Sequence, residues 1–212
     1  MKRVLIVGAG GFGRELLAWC AHDPAYGREW KVEGFLDDNP NALAGYAVPV
    51  GVTGAVADYT PRAGEEFLCA IGQPKIKRRV VESLKERGAV FRRFVHPAVI
   101  CGNNVKLGEG VVLCPGVILT SDIVLEDHVM FNCGASAGHD VKIGCYTTLS
   151  GHCDLTGFVQ VGREVFFGSG ARVIPGKRVG DGAVVGAGSV VIMDVPHGVT
   201  VMGVPARKLT GV

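Results

Sequence analysis

From Leu107 onward every sixth residue is apolar: Leu107, Leu113, Leu119, Leu125, Phe131, Ala137, Ile143, Leu149, Leu155, Val161, Phe167, Val173, Val179, Val185 and Val191. Two places before each anchor runs a second row, mostly small or β-branched. It passes from Val105 and Val111 through Ala135, Val141 and Thr147 to Lys177, Ala183 and Ser189. Glycine follows the anchor at Gly108, Gly138, Gly144, Gly162, Gly168, Gly180 and Gly186. A fixed short period marks a stacked solenoid. Each hexapeptide points one bulky side chain inward. A turn of small residues or glycine then bends the chain, because glycine adopts angles that other residues avoid. Three faces make a coil of about eighteen residues, and about five coils at ~4.8 Å per layer predict a prism roughly 24 Å tall. An antiparallel sheet would alternate with period two and show irregular turns.

The first 90 or so residues follow a different grammar. A β-branched run at residues 4–7 leads into Gly8-Ala9-Gly10-Gly11-Phe12-Gly13 and then a helical pattern from Arg14 to Cys20. Further strands are expected at about residues 31–36, ending at Asp37-Asp38, and at residues 67–71. Gly72-Gln73-Pro74 then opens a charged helix over about residues 75–87. Strands alternating with helices predict a parallel sheet. The expected architecture is therefore an α/β Rossmann-like unit at residues 1–93 followed by a three-sided parallel β-helix at residues 94–212.

Composition narrows the class. With 48% hydrophobic and 20% charged residues the chain reads as globular. A net charge of +2, without a basic block, calls for no nucleic-acid partner. No apolar run is long enough to span a bilayer, and Met1-Lys2-Arg3 leads into a first strand and not a signal peptide. The seven cysteines are odd in number and contain no CxxC pair, so free thiols in a reducing cytoplasm are expected, with no metal.

The period-six run resembles the left-handed β-helix acyltransferases. The ending strengthens that likeness: Val184-Val185-Gly186-Ala187-Gly188-Ser189-Val190-Val191, then Asp194-Val195-Pro196, then Gly203-Val204-Pro205-Ala206-Arg207. Ahead of the repeats stand Val7-Gly8-Ala9-Gly10-Gly11-Phe12-Gly13, Gly34-Phe35-Leu36-Asp37-Asp38, Ala70-Ile71-Gly72 and His96-Pro97, in that order. The whole chain thus resembles the PglD/NeuD-like sugar O- and N-acetyltransferases. The resemblance implies transfer of an acetyl group from acetyl-CoA to the amine of a nucleotide-linked amino sugar (UDP-, GDP- or dTDP-linked). Acetylation of a hydroxyl on a sialic acid is the alternative. It also implies a homotrimer with active sites between subunits.

Gly8, Gly10 and Gly13 form GxGxxG between strand and helix, where glycines allow close backbone approach and the helix N-terminus favours anions. Asp37 or Asp38 stands where a ribose-binding acid would be. A dinucleotide dehydrogenase would need more than about 90 residues for two mononucleotide halves and a substrate site. By resemblance, Gly8, Gly10, Gly11, Phe12, Gly13, Asp37, Asp38, Ile71, Gly72 and Gln73 would hold the nucleotide sugar.

His139 lies two places after an anchor, so its side chain is expected to leave the prism. Acetyl transfer to an amine needs a base, and imidazole titrates in the right range. The family places its catalytic histidine in this local pattern, followed by an acid, here Asp140 where Glu is commoner. His152 is expected to line the same cleft or the surface. Acetyl-CoA would lie in a groove between prisms, along His152, Gly151, Gly168, Gly170, Ala171, Gly186 and Ala187, with Arg207 or Lys208 on its phosphates. Transfer is expected to be direct; a covalent route through Cys133 would need a depressed thiol pKa and a partner base. Two competing classes remain. One is a carbonic anhydrase-like metalloenzyme using histidines across subunits, with His128, His139 and His152 available. The other is a non-catalytic sugar-nucleotide binding module.

Overall fold

The structure is a computed structural model that describes residues 1–209 of the 212. It opens with strand β1 (Lys2–Val7), helix α1 (Gly11–Cys20), strands β2 (Trp30–Leu36), β3 (Val52–Gly54) and β4 (Glu65–Cys69), and helix α2 (Pro74–Glu86). The four strands form one parallel sheet in the order β3-β2-β1-β4. Its central strand β1 ends in a continuous apolar run, Val4–Val7, because both faces are covered there. Val4 and Ile6 pack with Leu16 and Phe35 on one side; Leu5 and Val7 pack with Phe67, Val81 and Leu84 on the other.

This corrects the Rossmann-like expectation for residues 1–93. The N-terminal part has only two helices, of 10 and 13 residues, and the chain passes from β2 to β3 through turns with no crossover helix. The glycine-rich motif marks one β-α-β unit, β1-α1-β2, and that unit is not repeated into a doubly wound sheet. The bulk of the chain is instead a β-solenoid of the left-handed β-helix type.

The solenoid strands begin at Phe94–Val95 and recur every six residues, almost all two residues long. They stack into three sheets of eight, six and five strands, parallel except for the last strand of the first, which begin at Phe94–Val95, Ile100–Cys101 and Lys106–Leu107 respectively. Phe131 pairs with Leu113 on one side and Leu149 on the other, so each layer repeats the one eighteen residues earlier. Apart from the half-buried Val105, Leu107 and Lys177, both inward rows are buried, and they form one continuous core from Val111 to Val201.

The turn glycines act differently from the expectation. None of the seven that follow an anchor has a positive φ. They are glycines because the next coil passes too close. A Cβ at Gly138 would stand 2.7 Å from the amide nitrogen of Gly157, and one at Gly168 would stand 2.5 Å from that of Ala187. The left-handed position comes two residues later. It is filled by Gly110, Gly116 and Gly134, but also by Asp122, His128, Asp140, Tyr146, His152, Phe158 and Glu164, with φ between 55° and 75°.

The N-terminal unit covers the first face of the column. Phe94, Val112 and Met130, which point out of that face, are buried among residues of α1 and β2. From α2, the buried Lys77 donates through Nζ to Thr148 Oγ1 at 2.8 Å and to the Thr147 carbonyl at 3.2 Å. Its burial holds the ammonium pKa down at about 7. Arg78 pairs with Glu164 at 2.8 Å. Along the edge between the first and third faces, His128 stacks on Tyr146 at 5.2 Å and meets Phe91 edge-on. His96 accepts the Ala98 amide at 3.0 Å and faces His22 at 2.7 Å, tying the end of α1 to the start of the column. Both His96 and His128 are packing residues.

Candidate functional site

The first candidate region is the C-terminal edge of the parallel sheet. Val7 lies beside Leu36 and Cys69 in register, so the loops after β1, β2 and β4 meet there. Gly8 takes φ +99°, and a Cβ on it would sit 3.4 Å from the Ala70 carbonyl oxygen. Open space surrounds Gly10, Gly11 and Gly72. Gly10 is the N-cap of α1 and offers no side chain to it, so the first amides of that helix are left for an anion.

Other candidates there have structural duties. Asp37 uses both oxygens on backbone, accepting the Ala9 amide at 2.8 Å and the Asn39 amide at 2.9 Å. Asp38 accepts the Ala57 amide at 3.2 Å. Gln73 caps α2 by accepting the Ile76 amide at 2.7 Å. Phe12 packs edge-on against Trp19. Gly13 is the close contact of helix and strand, since a Cβ would stand 2.1 Å from the Gly8 carbonyl oxygen. Ile71 is half-buried against the β4–α2 core. Arg14, whose guanidinium lies 3.6 Å over the Tyr46 ring, borders the region and had no distinctive sequence signal.

The second region is the edge between the second and third faces, opposite the face that carries the N-terminal unit. His139 is exposed there, as its distance from the anchor predicts. Its Nδ1 faces Asp140 Oδ2 at 2.9 Å. An ionised carboxylate only accepts, so a neutral ring making this bond carries its proton on Nδ1 and leaves the lone pair on Nε2. The left-handed turn at Asp140, φ 60°, lets the acid fold back on its neighbour. Below the ring lies Gly157, and beside it Phe158, perpendicular with centroids 4.9 Å apart. Gln160 donates to the Asp140 carbonyl at 3.3 Å. A bare imidazole nitrogen oriented by a carboxylate is the arrangement a general base requires.

The third region is the edge between the first and second faces. Gly151, His152, Gly170 and Ala187 lie along it, with Gly170 donating to the Gly151 carbonyl at 2.9 Å. Gly168, Ala171 and Gly186 are buried between coils, and a Cβ on Gly186 would meet Met202 at 2.8 Å. Arg207 and Lys208 form a last, exposed strand antiparallel to Thr200–Met202. They rim a cavity of about 380 Å³ with Val191, Met193, Pro196 and Ala206.

His152 and His139 therefore occupy different edges of one chain and do not share a cleft within it. His128, on the remaining edge, is buried. One chain does not gather these three imidazoles for a metal. Cys133 is half-buried, and burial raises its thiol pKa, opposite to what a nucleophilic thiolate needs. Among the described residues no helix is long and apolar enough to cross a membrane.

Comparison with known proteins agrees with this layout. Residues 3–84 match the model of the PglD N-terminal domain. GDP-perosamine N-acetyltransferase of Escherichia coli O157:H7 is 30% identical over 96% of this chain and 95% of its own. The acetyltransferase domain of PglB from Neisseria gonorrhoeae FA1090 superimposes with a TM-score of 0.88 at 27% identity, covering 99% of this chain and 100% of that one. PerB from Caulobacter crescentus, solved in complex with CoA and GDP-perosamine, superimposes with a TM-score of 0.85 at 31% identity, covering 99% and 98%. Likeness along the full length, and not only in the repeats, makes this chain an acetyltransferase of the PglD/NeuD-like sugar O- and N-acetyltransferase family.

Proposed function

We propose that the protein transfers the acetyl group of acetyl-CoA to the amine of a nucleotide-linked amino sugar, with His139 as general base. The observation that carries the reading is the His139–Asp140 pair on an exposed column edge. The amine nitrogen attacks the thioester carbonyl carbon and Nε2 of His139 takes its proton; as the C–S bond breaks, the imidazolium returns that proton to the sulfur and CoA leaves as the thiol. Asp140 keeps the imidazole in the productive tautomer and steadies the cation that forms. Residues 1–93 hold the nucleotide sugar, with its phosphates at the start of α1. Residues 94–212 carry out the transfer.

The reaction requires more than one copy of the chain. His139 lies on the edge opposite the face covered by the N-terminal unit, and the small-residue edge of Gly151, Gly170 and Ala187 is a third place again. A nucleotide sugar held at the C-terminal edge of one N-terminal sheet meets the base of a neighbouring column in a homotrimer, and acetyl-CoA lies between prisms. GDP-perosamine bound in PerB supports a nucleotide-linked amino sugar as acceptor. A reducing cytoplasm, where acetyl-CoA is made and used, suits seven unpaired cysteines.

The test is release of CoA thiol from acetyl-CoA with UDP-, GDP- and dTDP-linked amino sugars. One of them is expected to be acetylated to a hydroxylamine-resistant amide. His139→Asn is expected to turn over roughly 10²–10⁴ times more slowly while keeping the fold. Wild-type turnover by that variant overturns the base, a hydroxylamine-labile ester overturns the amine, and a fully active monomer overturns the shared site.

A further inference from the structure

Phe158 is an anomaly that the repeat does not explain. It occupies a left-handed turn, φ 62°, a conformation costly for a side chain without a local hydrogen bond; the larger residues at equivalent turns are His128, Tyr146, His152 and Glu164, and the others are Gly, Asn or Asp. It is also 56% exposed, so its ring contributes little to the core. Tyr146 occupies an equivalent turn, but its ring is stacked on the buried His128 and packed against the α2 side of the molecule. The aromatic partner of Phe158 is His139, ring against ring at 90° and 4.9 Å.

The contact is tightly placed. The Phe158 amide donates to the His139 carbonyl at 2.9 Å, so the two residues are locked one coil above the other. Gly157, immediately before Phe158, lies under the imidazole, and Asp140 holds its Nδ1. The His139 ring has its floor in Gly157, one side on Asp140 and a wall in Phe158. Without that wall the half-exposed imidazole is free to turn about its χ2 and leave the carboxylate.

We propose that Phe158 is a positioning residue that holds the His139 imidazole on Asp140 with Nε2 directed outward. This rests on the reading of His139 as the base. The strain at residue 158 is the cost of the wall, in keeping with the concentration of strained backbone at functional sites.

The experiment uses the full-length protein with 15N-labelled histidine, and His139→Asn to assign the His139 signals. Phe158→Gly removes the ring and relieves the turn, so its thermal midpoint is expected to equal or exceed that of wild type. Its His139 nitrogen shifts are expected to move toward a mixture of tautomers. Its kcat is expected to fall about tenfold with the KM for acetyl-CoA unchanged, and Phe158→Tyr is expected to restore both signals and rate. An unaltered His139 tautomer in Phe158→Gly overturns the proposal, whether the rate holds or the assembly comes apart because Phe158 is only a subunit contact. The nitrogen shifts report the contact independently of turnover. A fully active His139→Asn with altered shifts in Phe158→Gly thus refutes the base while upholding the contact.

Discussion

Gly157 lies beneath the His139 ring, so close that a Cβ there would stand 2.6 Å from Nε2 and 2.7 Å from Cε1. The obstructed atoms belong to an exposed side chain and not to backbone, so an alanine is accommodated by swinging the imidazole aside. Gly157→Ala is expected to leave the thermal midpoint nearly unchanged and to lower kcat by roughly ten- to a hundredfold through misplacement of the base. Steady-state kinetics beside a melting curve checks both halves. A destabilised protein, or one with full activity, contradicts the geometry.

His128 sets a pH dependence of stability. Burial pushes its pKa down to about 4 against an ordinary value of 6.5, the nearby Lys85 and Lys77 lower it further, and Glu109 and Asp127 oppose the shift. Between those two pH values the unfolded chain binds a proton that the folded chain refuses. Its contribution is therefore complete above pH 6.5 and is lost as pH falls toward 4, amounting to roughly 3 kcal/mol across the window. His128→Phe is expected to flatten that part of the stability curve. Denaturant titrations of both proteins between pH 4 and 7 measure it.

Core substitutions differ between the two parts of the chain. Leu149 is fully buried in the column, and Leu149→Ala is expected to cost ~2–5 kcal/mol by leaving a cavity. Gly13→Ala acts by the opposite means, forcing a methyl against the Gly8 carbonyl 2.1 Å away. Its expected cost is ~1–3 kcal/mol or more, with α1 displaced from the sheet. Unfolding followed by tryptophan fluorescence registers the second directly, because Trp19 and Trp30 both lie in the N-terminal part.

Asp37 holds the glycine-rich turn and so shapes whatever binds there. Asp37→Ala leaves the Ala9 and Asn39 amides without their acceptor. The KM for the nucleotide sugar is expected to rise about tenfold, equivalent to the loss of one charge-assisted hydrogen bond. The KM for acetyl-CoA is expected not to change. An equal rise in both constants contradicts the assignment of the N-terminal loops to the acceptor.

The column was legible because its signal is strictly periodic. Leu107 to Val191 keep one phase, and each is an inward residue whose replacement costs core packing. The outward direction of His139 followed from the same count. The N-terminal part was read less well, because Gly8, Gly10 and Gly13 report a single strand-helix turn and say nothing of how many helices follow. Asp37 and Gln73 looked like ligand contacts, yet each satisfies backbone amides; local hydrogen bonding of this kind depends on loop shape that spacing does not encode. Gly157 and Phe158 went unnoticed since their neighbour, His139, is eighteen and nineteen positions away in sequence and one layer away in space. The left-handed turn itself had a signal, the six-residue recurrence of Gly110, Asp122, Gly134 and Asp140 three places after the anchors.

The eighteen-residue register between layers also constrains how such a gene can change length. Removing a single amino acid between Leu107 and Val191 would turn every later anchor toward water and bring a polar neighbour into the interior. Whole layers, by contrast, can be gained or lost with pairing intact. Columns of this kind therefore lengthen and shorten in steps of one full circuit. Such a step would carry the base up or down its edge relative to the sheet that presents the acceptor, and would leave its surroundings otherwise undisturbed.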